Sequence, residues 1–272
     1  MGKYAPLTKS LDIDESLMLV ELSRQYTDVA EWQEEALFRL PQASRARRTE
    51  IISAVRNKFL TIENDTFVET PLVVLLSSGT LEARVKRDLL FAQYLRTTPI
   101  VWDAIHKLVL PHAEANSGSV DMKSDREIGI ESFAEFVEEC VNSSSESSIR
   151  KTRKMITGHL LKFGILESES ETGKMFHKRY FAHFYDPAPE AFWFSLALEF
   201  SEHNWTSRSL DFIITKSWTR TAYCTSTAYA RYVMEEAERQ GIVITEFFGS
   251  ERQMTLRGPD SIDRIVEVIR YG

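Results

Sequence analysis

Residues 147–180 read SSIRKTRKMITGHLLKFGILESESETGKMFHKRY, a helical pattern that gives way at once to a hairpin pattern. Ser147 is a good N-cap, Ile149, Ile156, Leu160 and Phe163 recur at helical spacing, and Gly164 supplies the stop. At about 100° per residue, Lys151, Lys154, Gly158 and Lys162 share one narrow stripe nearly opposite the apolar one, interrupted by Met155 and flanked by Leu161. After Gly164 come Ile165 and Leu166, a polar turn containing Glu171-Thr172-Gly173-Lys174, and then Met175 to Tyr180, which predicts two strands about a glycine turn. Helix followed by hairpin is the second half of a winged helix. No acidic residue occurs from Ser147 to Leu166, whereas Arg150, Lys151, Arg153, Lys154 and Lys162 do. Such a helix could enter a major groove, with Lys178 and Arg179 of the wing on a flanking phosphate backbone. A solvated basic face on a core helix is the competing reading.

The rest of the chain bounds what that helix belongs to. Its 272 residues are 43% hydrophobic and 27% charged, ordinary globular usage with room for two or three modest domains. The net charge is −7 and the pI near 5.5, so attraction to nucleic acid has to come from local patches. Cys140 and Cys224 stand apart and read as buried thiols, not as a zinc or disulfide framework. The opening MGKYAPLTKSLDIDES carries no apolar signal-peptide core, and no apolar run is long enough to span a bilayer, so a soluble, cytoplasmic protein with no membrane contact is expected.

Upstream, the spacing predicts an all-helical module over residues 1–115. Asp14 or Ser16 caps a first helix, Trp32, Leu37 and Phe38 mark a second ended by Pro41, and a third runs from Ser44 through Phe59. That third helix carries Arg45, Arg47, Arg48, Arg56 and Lys58, but Arg48 falls within its apolar stripe, so the patch is secondary to the later one. Thr98-Pro99 starts a further helix that Pro111 stops, and the small polar segment after it reads as a linker. Residues 131–141, ESFAEFVEECV, form an amphipathic helix with Phe133, Phe136, Val137 and Cys140 inward, followed by a serine-rich turn. Helix, turn, helix, hairpin is the order a winged helix requires, over residues 126–186.

Three of these stretches, QASRARRTEIISAVRNKFL, LLFAQYLRTTPIVWDAI and SSIRKTRKMITGHLLKFGILES, together resemble the BrxA family of the BREX bacteriophage-exclusion systems, across roughly residues 10 to 185. The resemblance implies a non-enzymatic, largely helical component of a phage-defence cluster, one that binds double-stranded DNA and acts with other BREX proteins, including a DNA methyltransferase. It brings no catalytic residue and no cofactor. It carries over only the basic helix-and-wing character at Arg150, Lys151, Arg153, Lys154, Lys162, Lys178 and Arg179.

Residues 187–272 repeat the scheme: a helix opened by Pro189, a second capped by Thr206 or Ser207, a third over residues 226–240, strands at 242–247 and 252–256, and a last helix after Pro259. The expected fold is therefore mainly α, an N-terminal helical domain followed by two winged-helix-like units. In the second unit, Thr227 and Arg231 suit DNA and Glu235 and Glu238 do not, with Arg208, Lys216, Arg220 and Arg252 as candidate phosphate contacts. The six histidines never cluster with carboxylates or cysteines, and neither a phosphate loop nor a nucleophile elbow is present, so no metal, cofactor or enzyme activity is expected. Two readings remain, a duplex-DNA-binding subunit and an adaptor that uses its winged helices to hold partner proteins.

Overall fold

Polar side chains at the turns decide where the first helices begin. The computed structural model describes residues 3–7, 11–115, 127–142, 145–170, 178–256 and 261–271, and helices dominate it. α1 (Ile13–Ser23) has Asp12 at its N-cap, ahead of the expected Asp14 or Ser16; Ser16 instead turns its hydroxyl back onto the Asp12 carbonyl at 2.5 Å. α2 (Val29–Arg39) is capped by Asp28, whose carboxylate accepts from the backbone N–H groups of Ala30 and Glu31 at 2.8 and 3.0 Å. Ser44 caps α3 (Arg45–Phe59), as expected.

The module then departs from the all-helical expectation. β1 (Thr61–Glu63) and β2 (Thr66–Val68) pair antiparallel around Asn64 and Asp65, whose φ values are 50° and 58°. Two left-handed residues in a two-residue loop make the hairpin turn that matches strand twist, and Asn and Asp tolerate that conformation best after glycine. Asp28 bridges Thr66, and the Phe67 N–H donates to the Thr27 carbonyl at 3.4 Å, so the chain just before α2 lies along β2. α4 (Pro71–Leu76) and α5 (Ala83–Thr97) follow.

α6 (Pro99–Ala104) runs into a π turn, Ile105–Val109, and on into α7 (Leu110–Glu114). Pro111 therefore does not stop the helix as the sequence suggested. The wider turn re-phases the hydrogen bonding, so the proline falls in the first turn of α7, where its missing N–H costs no bond. The expected linker thus begins inside α7, and its residues 116–125 lie outside the described ones. β3 (Glu127–Ile128) leads to α8 (Ile130–Cys140), which buries Phe133, Phe136, Val137 and Cys140, as its period demands.

α9 (Glu146–Lys162) starts two residues earlier than its sequence suggested, with Ser145 at the N-cap position and no side-chain cap. Its end is as expected: Gly164 sits at φ 76°, its N–H on the Leu161 carbonyl at 3.1 Å and the Ile165 N–H on the Leu160 carbonyl at 3.0 Å. β4 (Leu166–Ser170) and β5 (Lys178–Ala182) form the hairpin; its turn, including residues 171–177, lies outside the described residues. β5 is central, with β4 on one side and β3 on the other. Residues 3–7 run past the same helix pair. Tyr4 bridges Val141, and the Leu7 N–H donates to the Thr152 hydroxyl at 3.1 Å.

α10 (Pro189–Glu202) is followed by β6 (Ser207–Ser209), where a helix cap at Thr206 or Ser207 was expected; the cap is Ser209, whose hydroxyl accepts from the Phe212 N–H at 3.2 Å to start α11 (Leu210–Lys216). α12 (Trp218–Ala222), α13 (Thr227–Arg239), β7 (Val243–Phe248), β8 (Glu251–Leu256) and α14 (Ser261–Tyr271) complete the chain. Gly249 opens the β7–β8 turn at φ 64°. β8 lies between β6 and β7.

One order of elements thus recurs along the chain: a helix, a short extended segment, further helices, and a two-stranded hairpin whose second strand pairs back with that segment. It occurs at residues 13–68, 99–182 and 189–256. The described residues divide into two compact units, one of Met1–Thr8, Thr98–Asp186 and Ile213–Arg231, the other of Lys9–Thr97, Pro187–Phe212 and Tyr232–Gly272. The first buries Phe133 edge-on to Tyr180, with ring centroids 5.7 Å apart, together with Ile156, Leu160 and Phe163. In the second, the Trp32 indole N–H reaches the Leu19 carbonyl at 3.2 Å and the buried Asp88 carboxylate accepts from the Ala188 N–H at 2.8 Å. Each such aromatic or leucine burial contributes about 1.5–3 kcal/mol.

Both cysteines are free and buried, as the sequence suggested. Burial pushes the Cys224 thiol up to about 12. The folded protein therefore keeps that proton at pH values where an unfolded cysteine, at about 8.5, has lost it. The associated stability is fully present below about pH 8.5 and is lost as pH rises toward 12, by about 1.4 kcal/mol per pH unit. Urea denaturation at pH 8, 9 and 10 is expected to show this decline, and Cys224→Ala to flatten it.

Candidate nucleic-acid interface

α9 divides into two sides because its apolar residues repeat every three or four positions. Ile156, Leu160 and the C-cap Phe163 are buried, as are Thr152, Thr157 and His159, while Arg150, Lys151, Lys154 and Lys162 are exposed. Lys151 and Lys162 are eleven positions apart, so the cationic stripe runs about 16 Å along the helix. Arg153 lies about 200° round from Lys151, toward the buried side, and is half-buried. The structure thus brings Arg150, Lys151, Lys154 and Lys162 to the outer face and leaves Arg153 off it. Gly158 stands mid-stripe, and a Cβ added there would meet nothing within 4 Å. A glycine inside a helix costs about 1 kcal/mol relative to alanine.

The hairpin is less basic than its last residues suggested. The register sets Glu169 opposite Arg179, and the Arg179 guanidinium lies 3.5 Å from the Glu127 carboxylate. Glu167 and Glu169 are exposed. Lys178 pairs opposite Ser170 through the backbone, and its side chain lies outside the described residues.

The N-terminal arginines are mostly engaged within their own module. Arg47 pairs with Asp12 at 2.5 Å and with Glu50 at 3.1 Å. Arg48 donates to the carbonyls of Gln42 and Leu37, which explains its place in the apolar stripe: it ties the end of α2 to the start of α3. Lys58 lies 4.9 Å over the Tyr94 ring. Arg45 is exposed. Next to β2, a cavity of about 210 Å³ is lined by Arg24 and Glu69, whose ion pair at 2.7 Å leaves no net charge to attract an anion.

The C-terminal cations are similarly committed. Arg220 is 3% exposed; it pairs with Glu114 at 2.5 Å and donates to the Thr225 carbonyl at 2.8 Å, so it is a structural residue and not a phosphate contact. Arg252 pairs with Glu238, and Arg208 stacks 3.9 Å over Trp205. Lys216, Thr227 and Arg231 are exposed, but so is Glu235. The β7–β8 tip instead presents Phe247 and Phe248, 73% and 64% exposed, between the exposed Glu246 and Glu251. Sequence reasoning passed over this pair because Phe247 fits the strand expected at 242–247 and Phe248 adjoins its turn. Their place next to Gly249, at the turn, was the signal.

Among the described residues no group of three or more His, Cys, Asp or Glu is placed to hold a metal ion, and no helix is long and apolar enough to cross a membrane. No family model matches the chain, and no curated protein matches it. Solved structures do. The chain is similar in fold to SspB. One SspB crystal structure superposes over 97% of this chain and 88% of its own with a TM-score of 0.62 at 11% identity. A magnesium-ion-bound SspB structure covers 99% and 87%, with a TM-score of 0.59 at 14% identity. At that identity the likeness concerns the path of the backbone.

The sorting of cations into engaged and exposed ones can be tested. Arg48→Ala is expected to lower unfolding stability by about 1–3 kcal/mol, since it leaves two carbonyls without their donor. Arg220→Ala, which removes a buried guanidinium and leaves the Thr225 carbonyl without its donor, is likewise expected to cost about 1–3 kcal/mol. Chemical denaturation measures both, and a loss under 0.5 kcal/mol at either site would return that arginine to the surface set.

Proposed function

We propose that this chain is a non-enzymatic double-stranded-DNA-binding subunit that contacts mainly the phosphate backbone through α9. The observation that carries this reading is the exposed row of Lys151, Lys154 and Lys162, with Arg150 beside it, on the helix directly preceding a hairpin. The strand order β3–β5–β4 around α8 and α9 is that of a winged helix, and the same order in β6–β8–β7 and at the Asp28–Thr66 bridge supports three such modules in place of two. The pairing of Arg179 with Glu127 reduces the wing to a minor contributor, and the engagement of Arg47 and Arg48 leaves Arg45 as the accessible cation of the N-terminal set. The resemblance of residues 10–185 to the BrxA family supports a cytoplasmic place in a BREX-type phage-defence assembly, beside its methyltransferase and other components.

A second reading has its own observation. The exposed Phe247 and Phe248 at an acidic hairpin tip favour protein contact over phosphate contact, so the C-terminal module would serve as an adaptor within the same assembly.

Fluorescence anisotropy on a short duplex at two salt concentrations, with a single-stranded control, tests the first reading. The expected slope of log K against log salt is about −0.9 per phosphate neutralised, hence about −3 for three lysines. Lys151→Glu with Lys154→Glu is expected to weaken duplex binding at least about tenfold and to leave the unfolding midpoint in place. Unchanged binding by the double variant would remove α9 from the interface.

A further inference from the structure

A glycine inside a helix usually has an internal reason. It either adopts a left-handed backbone or lets a neighbouring element pack against bare Cα. Gly158 has neither. It is absent from the residues with positive φ, and the space where its Cβ would stand is open for 4 Å. It also lies at the centre of the cationic stripe, four residues after Lys154 and four before Lys162, each about 6 Å away along the axis. The outer face of α9 therefore has a notch in its middle, bare backbone between two long cationic side chains.

We infer that Gly158 is the point at which α9 meets the duplex. This rests on the DNA-binding reading above and adds to it a residue that contributes through the side chain it lacks. At this position a sugar–phosphate ridge comes into van der Waals contact with the helix backbone, and Lys154 and Lys162 straddle it, each reaching a phosphate to one side. The lysines supply attraction and the notch supplies depth. Any side chain at 158 holds the helix off and lengthens both lysine contacts, whatever its charge.

Charge and shape make opposite forecasts for one substitution, so Gly158→Lys is the decisive variant. If only the field of α9 matters, a further lysine tightens duplex binding and steepens its salt dependence by about one phosphate. If the notch matters, Gly158→Lys binds at least about fivefold more weakly than the wild type in anisotropy titrations on the same duplex, despite the added charge. Gly158→Ala controls for the fold: with nothing to clash against and better helix propensity, it is expected to raise the unfolding midpoint by about 2–4 °C. Equal or tighter binding by Gly158→Lys overturns the inference, as does a lowered midpoint in Gly158→Ala, which would reveal an internal reason for the glycine. A wild-type protein that fails to shift duplex DNA at low salt overturns the DNA reading itself, an outcome distinct from either of these.

Discussion

A backbone pairing between segments far apart in sequence holds the helix pair in place: the short strand that precedes it is hydrogen-bonded to the last strand of the hairpin that follows it. In the middle of the chain this joins Ile128 to Tyr180. With both ends of the stretch pinned to one strand, α8 and α9 have to cover the sheet, and Phe133 packs edge-on against Tyr180 beneath them. The rotation of α9 follows. Ile156 and Leu160 must face inward, so Lys151, Lys154 and Lys162, on the opposite side of the helix, must face out. Closing so long a stretch costs little more entropy than closing a short one, because the penalty grows only with the logarithm of length. Two residues of strand are enough when an apolar helix face packs on the sheet they complete.

The electrostatics of the molecule depend on which cations are already occupied. With a net charge of −7, the chain has more carboxylates than basic residues, and many of the latter are matched. Arg47, Arg48, Arg220 and Arg252 are held by carboxylates or carbonyls of the same fold, and the half-exposed Arg179 by Glu127. The exposed pairs, such as Arg179–Glu127, add at most about 1 kcal/mol each to stability. Their larger effect is to cancel charge locally, whereas α9 sets Arg150, Lys151, Lys154 and Lys162 at the surface along one side of a single helix.

Helical periodicity was easy to read in this chain, and strands of two or three residues were not. The amphipathic repeats of α8, α9 and α13 revealed the inward residues, and the glycines at 164 and 241 marked where two of these helices end. The Asn64-Asp65 turn between Thr61-Ile62-Glu63 and Thr66-Phe67-Val68 carried a hairpin signal, but it lay between strong helices and was absorbed into them. β6, three residues long and without an apolar alternation, had no signal beyond the serines that also suit a cap. Whether an arginine is engaged is a tertiary fact: Arg45 and Arg48 look alike in sequence, and only the neighbouring Gln42 and Leu37 carbonyls tell them apart. The one hint was that Arg48 sits in an apolar stripe.

The sheet order β6–β8–β7 leaves β7 on an outer strand of its sheet, and its six residues, Val-Ile-Thr-Glu-Phe-Phe, are rich in β-formers and contain no proline. An unpaired strand edge of this composition is a template for the edge of another molecule. Its single charge, the exposed Glu246, stands near the middle of the run and acts as a gatekeeper, with Glu251 across the turn. The shelf life of the purified protein thus depends on carboxylates that are no part of the basic helix. Without them, one such edge would meet no repulsion from the next.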